Sequence, residues 1–320
     1  MVKQLKVIVN EEIHPDGMKL LRSKMDVVVD FDLGAKNGQI ESATALLVRS
    51  SGQVREDLIT RARNLKVIGR YGAGVDNIDV QMCQKLGIAV VYAPGVNAKS
   101  VAEMTIGQAI NLRRNFIAQD DAVRREDWSR RDHLAGGDIR GSKIGLIGLG
   151  QIGLEVARIS RLGFEMDVCY YDQLQNKDAE ARFGLTFLSL NELLSTSDIV
   201  SLHIPYTPST HNLIGRSELA RMKRTGILLN FARGGIVDEI ALSEALQVGM
   251  IAGAGLDVFL EEPLVKSSPL LLAPNTVFSP HTAGISDGAS REISLSVVND
   301  IFAIISGTIP KFLYPPTSVV

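Results

Sequence analysis

"KIGLIGLGQIGLEVA", residues 143–157, decides how this chain is read. It holds Gly148-x-Gly150-x-x-Gly153, the spacing that brings a dinucleotide pyrophosphate onto the start of a helix. The apolar run at 144–147 predicts a strand directly before Gly148, and Val156, Ile159 and Leu162 continue a helical face after Gly153. Asp172 closes the next apolar run, MDVCYYD, nineteen residues beyond Gly153, where a ribose-binding carboxylate belongs. Glycines at 148 and 150 let the backbone approach a pyrophosphate without a Cβ clash, and the helix start offers free N–H groups. The plainer reading, a tight glycine turn with Asp172 merely capping the next turn, leaves that combination unexplained. A shorter pattern, Gly72-Ala73-Gly74, follows the run KVIG but lacks a third glycine and an acid at the right distance. It reads as an anion-holding loop.

Such a fingerprint usually opens a domain, yet here it begins almost halfway along 320 residues, a length that suggests about two domains. Before it, β-branched runs recur at 6–10, 26–30, 45–48, 66–69 and 89–92, with helical stretches between them. After it come KIGLIG, MDVCYYD, DIVSLHI, GILLN, AGAGLDVF and TVFSP, again alternating with helical stretches. Strands alternating with helices imply βαβ units, so the expectation is an α/β chain with two doubly wound parallel sheets. Ser100-Val101-Ala102-Glu103 has the form of a capping box, and the helix it opens should run unbroken through residue 123. The stretch RREDWSRRDHLAGGDIRG reads as an irregular surface segment, and apolar residues at 293, 297, 298, 301, 302 and 305 predict a final helix.

Composition narrows the classes. With 45% apolar and 22% charged residues the chain is an ordinary globular protein. A net charge of −2 gives no field toward nucleic acid or anionic lipid, and no apolar run is long enough for a membrane span. The start meets charge too soon for a signal peptide, which points to the cytoplasm. Cys83 and Cys169 lack metal spacing and read as small buried hydrophobes, so no metal is expected.

In a doubly wound sheet, ligands sit outside the carboxyl ends of the strands. Polar residues just past those ends are therefore the candidates. Phe231-Ala232-Arg233 follows GILLN, Asp257 and Glu262 lie in and after AGAGLDVF, and His281 follows TVFSP. Each has a bland alternative, since a lone histidine is more often structural and an Arg–Glu pair is usually solvated. Among the other histidines, His14 and His211 look like loop or helix-start residues, His133 sits in the surface segment, and His203 reads as lying inside a strand. Hydride transfer between a 2-hydroxy acid and NAD needs a base for the hydroxyl proton and a cation for the carboxylate. His281 can take the proton, Glu262 can fix the ring's tautomer and favour the imidazolium, and Arg233 offers a planar fork to a carboxylate.

At this point the chain resembles the D-isomer-specific 2-hydroxyacid dehydrogenases, the group that includes phosphoglycerate, hydroxypyruvate and D-lactate dehydrogenases. The resemblance rests on GRYGAGVDNID, SVAEMTIG, GLIGLGQIG, LNFARGGIVDE, LDVFLEEPL and SPHTAG, in the family's order and over nearly the whole chain. It implies catalytic roles for Arg233, Glu262 and His281. It implies cofactor contacts from Gly148, Gly150, Gln151, Ile152, Gly153 and Asp172, from Pro205 and Thr210, and from Phe231, Ala232 and Arg233. Asp257 and the segment of His281, Ala283 and Gly284 should complete the nicotinamide side. Ser51, Gly74 and Val75, together with Arg233 and His281, should hold the substrate. The family inserts its Rossmann NAD domain into a flavodoxin-like substrate domain, so residues 100–287 should bind NAD and residues 1–99 with 288–320 should form the substrate domain. A cleft between the two lobes and a homodimer paired through the NAD domains are implied as well. The chain stops at residue 320, so the regulatory extension of many phosphoglycerate dehydrogenases is not expected. Two other classes share the features: an NAD-sensing corepressor without turnover, and a hydrolase that retains its NAD. The particular 2-hydroxy acid stays open, and Arg70 reads equally as a holder of a distal phosphate or as a structural arginine.

Overall fold

The structure, a computed structural model, describes residues 5–33, 38–49 and 51–315. The chain divides into two compact units, Met1–Asn97 with Ile285–Val320, and Ala98–Gly284.

In the first unit the strands are β1 (Lys6–Val9), β2 (Asp26–Val29), β3 (Ala45–Val48), β4 (Val67–Arg70) and β5 (Ala89–Val91). They lie in the order β5-β4-β3-β1-β2, all parallel. Helices cover both faces of the central strands, so β3 is buried at every position and reads as a continuous apolar run. The helix Asp287–Ser306 brings Ile293, Val297, Val298 and Ile301 onto Val7, Val9 and Leu47. Gly69 in β4 makes room for it, because a Cβ there would stand 2.6 Å from the Ile301 side chain. The strand order reverses between β1 and β3, where open α/β sheets form a crevice.

The second unit adds β6 (Lys143–Ile147), β7 (Asp167–Tyr171), β8 (Thr186–Phe187), β9 (Ile199–Leu202), β10 (Ile227–Asn230), β11 (Gly253–Leu256) and β12 (Thr276–Phe278). Their order is β12-β11-β10-β9-β6-β7-β8, parallel throughout, with the reversal between β6 and β9. This is the doubly wound dinucleotide-binding arrangement. The fingerprint glycines leave the carboxyl end of β6, at that reversal.

Several local expectations give way. The helix starts at Ala98, so Ser100 and Glu103 lie within its first two turns and Ser100 is not the residue that precedes it. Burial of Ala98, Val101 and Ala102 decides the start instead of the local cap signal. Nor is the helix unbroken. It ends at Arg114, Asn115 turns left-handed at φ 57°, and a second helix runs Phe116–Arg124. A distant segment makes the break: Gly137 N–H donates to the Arg113 carbonyl at 2.9 Å, and Asn115 Nδ2 donates to the Leu134 carbonyl at 3.3 Å. His203 lies just past β9, not inside it, so His281 is not the only histidine at a strand exit. The short β8, and a final strand β13 (Leu313–Tyr314) antiparallel to β5, carry too few residues to show alternation.

Candidate active site

At the fingerprint, Gly148 adopts φ +98°, and a Cβ there would stand 2.6 Å from the His203 carbonyl oxygen. Only glycine fits both demands. Gly153 packs against the Gly148 carbonyl, closing the helix onto the strand. Gly150 caps the helix Gln151–Phe164 with no side-chain hydrogen bond, and a Cβ on it would meet no atom within 4 Å. Free amides facing open space are what a diphosphate needs. Gln151 begins that helix on its exposed side, while Ile152 packs against the core. Asp172 follows β7, and its carboxylate accepts from Leu149 N–H at 2.8 Å and Gln173 N–H at 2.7 Å. It does cap the next turn, and it also ties the end of β7 to the glycine loop. These residues fit a bound dinucleotide.

Further along the same carboxyl edge, β10, β11 and β12 deliver the candidate chemistry. Asn230, 2% exposed, ends β10 and shapes its exit: its Oδ1 accepts from Ala232 N–H at 3.1 Å and its Nδ2 donates to the Arg233 carbonyl at 2.9 Å. Phe231 and Ala232 turn inward, and Arg233, partly buried, directs one guanidinium nitrogen to the Ala232 carbonyl at 2.8 Å. Asn230 is not among the sequence candidates, and its signal there is that an asparagine closes an otherwise apolar strand.

His281 Nδ1 meets Glu262 Oε2 at 2.7 Å, and Glu262 Oε1 accepts from Phe259 N–H at 3.1 Å. The carboxylate therefore has one oxygen for the ring and one for its own loop. His281 sits at φ +54°, a conformation that costs a non-glycine residue on the order of 1 kcal/mol. Its N–H donates to the Asp257 carbonyl at 2.8 Å, which holds it there. The Asp257 side chain, 2% exposed, accepts from Ser279 Oγ at 2.5 Å, Thr282 N–H at 2.8 Å and Ala283 N–H at 2.9 Å. Asp257 thus braces the turn that presents His281, running on to Gly284. Both members of the pair remain partly open to solvent, at 48% for His281 and 37% for Glu262.

His203 is built differently. Its Nε2 pairs with Ser201 Oγ at 2.9 Å, burial pushes the imidazole down to about 3, and the ring stays neutral under the glycine loop. Past it, Thr210 Oγ1 donates to the Pro205 carbonyl at 2.9 Å and accepts from Thr207 N–H at 2.7 Å, folding the 205–210 loop on itself. Both cysteines are buried, and burial raises Cys83 to about 11 and Cys169 in the same direction, so neither thiol is a nucleophile.

In the first unit, Ser51 lies in the loop after β3, and Gly74 and Val75 lie in the loop after β4. Asn77 joins the two loops, donating to the Gly52 carbonyl at 2.6 Å and the Arg49 carbonyl at 2.7 Å. Arg70 donates to Asn77 Oδ1 at 3.2 Å and to the Tyr71 carbonyl. Its guanidinium lies against the turn at Gly72, the placement the structural reading of Arg70 expects.

A two-unit α/β chain with this fingerprint and this strand-exit chemistry has close relatives. Residues 106–283 match the D-isomer specific 2-hydroxyacid dehydrogenase NAD binding domain. The D-3-phosphoglycerate dehydrogenase of Methanocaldococcus jannaschii is 38% identical over 310 residues, covering 96% of this chain and 59% of that protein. The glyoxylate reductase of Korarchaeum cryptofilum is 35% identical over 320 residues, covering 96% of this chain and 95% of its own. Among solved structures, D-lactate dehydrogenase from Aquifex aeolicus, complexed with NAD and lactic acid, superposes with a TM-score of 0.86 at 28% identity, covering 98% and 100% of the two chains. The chain belongs to the D-isomer-specific 2-hydroxyacid dehydrogenase family, and its cofactor is NAD. It spans 59% and 58% of the length of two of the phosphoglycerate dehydrogenases it matches. Among the described residues no helix is long and apolar enough to cross a membrane.

Proposed function

We propose that the protein is an NAD-dependent D-2-hydroxyacid dehydrogenase, interconverting a small 2-hydroxy acid and its 2-oxo acid in the cytoplasm. The observation that carries this is the 2.7 Å contact between His281 Nδ1 and Glu262, on a turn braced by Asp257. Glu262 keeps the shared proton on Nδ1, so Nε2 is left with the lone pair that takes the hydroxyl proton during oxidation. In reduction the same nitrogen returns it, and the carboxylate at Nδ1 stabilises the imidazolium meanwhile. Arg233 receives the substrate carboxylate on its planar fork. When bound, NAD supplies the hydride acceptor. Gly148, Gly150, Gln151, Ile152 and Gly153 would hold its diphosphate and Asp172 its ribose. Pro205, Thr210, Phe231, Ala232, Asp257, Ala283 and Gly284 would line the nicotinamide end. Ser51, Gly74 and Val75 would serve the substrate, making residues 1–99 and 288–320 a substrate domain and residues 100–287 the NAD domain. With NADH present, at least one of glyoxylate, hydroxypyruvate, 3-phosphohydroxypyruvate and pyruvate should drive a fall in NADH absorbance. NADH binding with no turnover of any 2-oxo acid would refute the enzyme reading and favour an NAD sensor.

The second unit should also pair with a second copy. Phe116, Ile117, Val123 and Trp128 are exposed within one short stretch, Trp128 at 68%. Beside them a cavity of ≈ 690 Å³ is lined by Leu112, Arg113, Ile117, Asp121 and Arg125. A concentration of apolar side chains of this kind marks a protein interface. Light scattering should give twice 34.7 kDa, and a monomeric mass at micromolar concentration would overturn the homodimer.

A further inference from the structure

We propose that Glu239 is a positioning residue for the acid–base pair: it anchors the loop that carries Glu262 and adds a negative charge that favours the protonated His281. The inference rests on the acid–base reading above. Glu239 is the first residue of the helix Glu239–Gln247, a place where an acidic side chain ordinarily serves the helix end. Here Asp238 already does so, accepting from Ile240 and Ala241 N–H at 3.0 Å each. Glu239 instead reaches across to the next strand's loop and accepts from Leu260 N–H at 2.6 Å. The preceding amide, Phe259 N–H, goes to Glu262 at 3.1 Å. Two consecutive amides are thus divided between two carboxylates, and the second of these holds His281.

The opposite side of the loop is fixed as well. Gly234 packs so closely on Phe259 that a Cβ would strike its carbonyl group, and a Cβ on Gly235 would meet Tyr206 at 2.8 Å. The Glu262 carboxylate therefore has little freedom to swing, provided the Leu260 amide stays tied. The charged groups about Glu239 are Asp238 on its own helix, Glu262 on the loop and, through Glu262, His281. Burial holds the Glu239 carboxyl above the usual carboxylate range, Leu260 N–H opposes this, and Asp238 and Glu262 push the same way as burial.

The test separates anchoring from charge. Glu239→Gln keeps an acceptor for Leu260 N–H but removes the charge, and Glu239→Ala removes both. The reaction followed is reduction of glyoxylate by NADH, or of whichever of the four 2-oxo acids is turned over fastest. In reduction His281 donates a proton, so kcat/KM falls on the alkaline side as the imidazolium is lost. Without the Glu239 charge the imidazolium is less favoured, so the Glu239→Gln alkaline limb should move to lower pH. Glu239→Ala should lower kcat about tenfold, with Glu239→Gln restoring most of it. A Glu239→Gln profile superimposable on wild type overturns the charge role, and wild-type kcat in Glu239→Ala overturns the anchor. If Glu239→Ala does not fold, the profile and kcat of Glu239→Gln decide alone. His281→Asn run alongside tells which idea has failed. If it keeps wild-type kcat, the acid–base reading falls. If it is inactive while Glu239→Gln superimposes, only the charge role of Glu239 falls.

Discussion

His281→Asn should lower kcat by about a hundredfold or more, while NADH binding stays near the wild-type value. The asymmetry comes from where the ring sits. His281 lies on the turn after β12, with Nδ1 held by Glu262 at 2.7 Å, while the fingerprint amides and Asp172 lie across the sheet at the ends of β6 and β7. Asparagine keeps a group able to donate to Glu262 but has no nitrogen that can take up and return a proton. It also tolerates the left-handed backbone better than most residues, so φ +54° at this position is preserved. Steady-state kinetics with a 2-oxo acid and NADH, beside a fluorescence titration of NADH, read the two effects separately. An unchanged kcat would remove His281 from the chemistry, and a matching loss of NADH affinity would indicate a collapsed site.

The second large effect is cofactor choice. Wild-type kcat/KM should favour NADH over NADPH by well over tenfold, and Asp172→Ser should shrink that ratio. A 2′-phosphate placed about 4 Å from the Asp172 carboxylate costs several kcal/mol at an effective dielectric of ~20, before relaxation. The carboxylate cannot readily turn away, because Leu149 N–H and Gln173 N–H both hold it. No cation comes directly after it: residues 173–176 are Gln173, Leu174, Gln175 and Asn176, and Arg182 farther on stacks over Phe183 at 4.9 Å. Because Asp172 also fixes the glycine loop, the serine variant should raise the KM for NADH as well as relax the preference. Equal use of the two cofactors by the wild-type protein is the result that would defeat this reading.

The histidines show how much of the site was legible and where legibility stopped. His203 reads from sequence as lying inside a strand, yet it follows its apolar strand just as His281 does. The structure separates the two: His281 is half open and paired with a carboxylate, and His203 is partly buried beside Gly148, where burial pushes its imidazole pKa down. The two Ser-x-x-Glu stretches make the same point. Ser189 and Glu192 form a true capping box, whereas Ser100 and Glu103 lie inside a helix that packing started earlier.

By itself the sequence determined the α/β class, the family, the NAD cofactor and the succession of strands other than the two-residue β8 and β13. Those depend on local requirements: side-chain period, the absence of a Cβ at Gly148, and an acid at a set distance from it. Only the tertiary structure decided that Asn115 breaks the long helix and that Arg70 lies against its own loop. It also turned the Asp257 carboxylate to the 279–283 turn and brought Glu239 and Glu262 to adjacent amides. Each of these depends on where another segment's amide or carbonyl comes to rest. Asp257 meets Ala283 and Glu239 meets Leu260 across more than twenty residues of chain, and no local pattern encodes which buried donor a carboxylate will find.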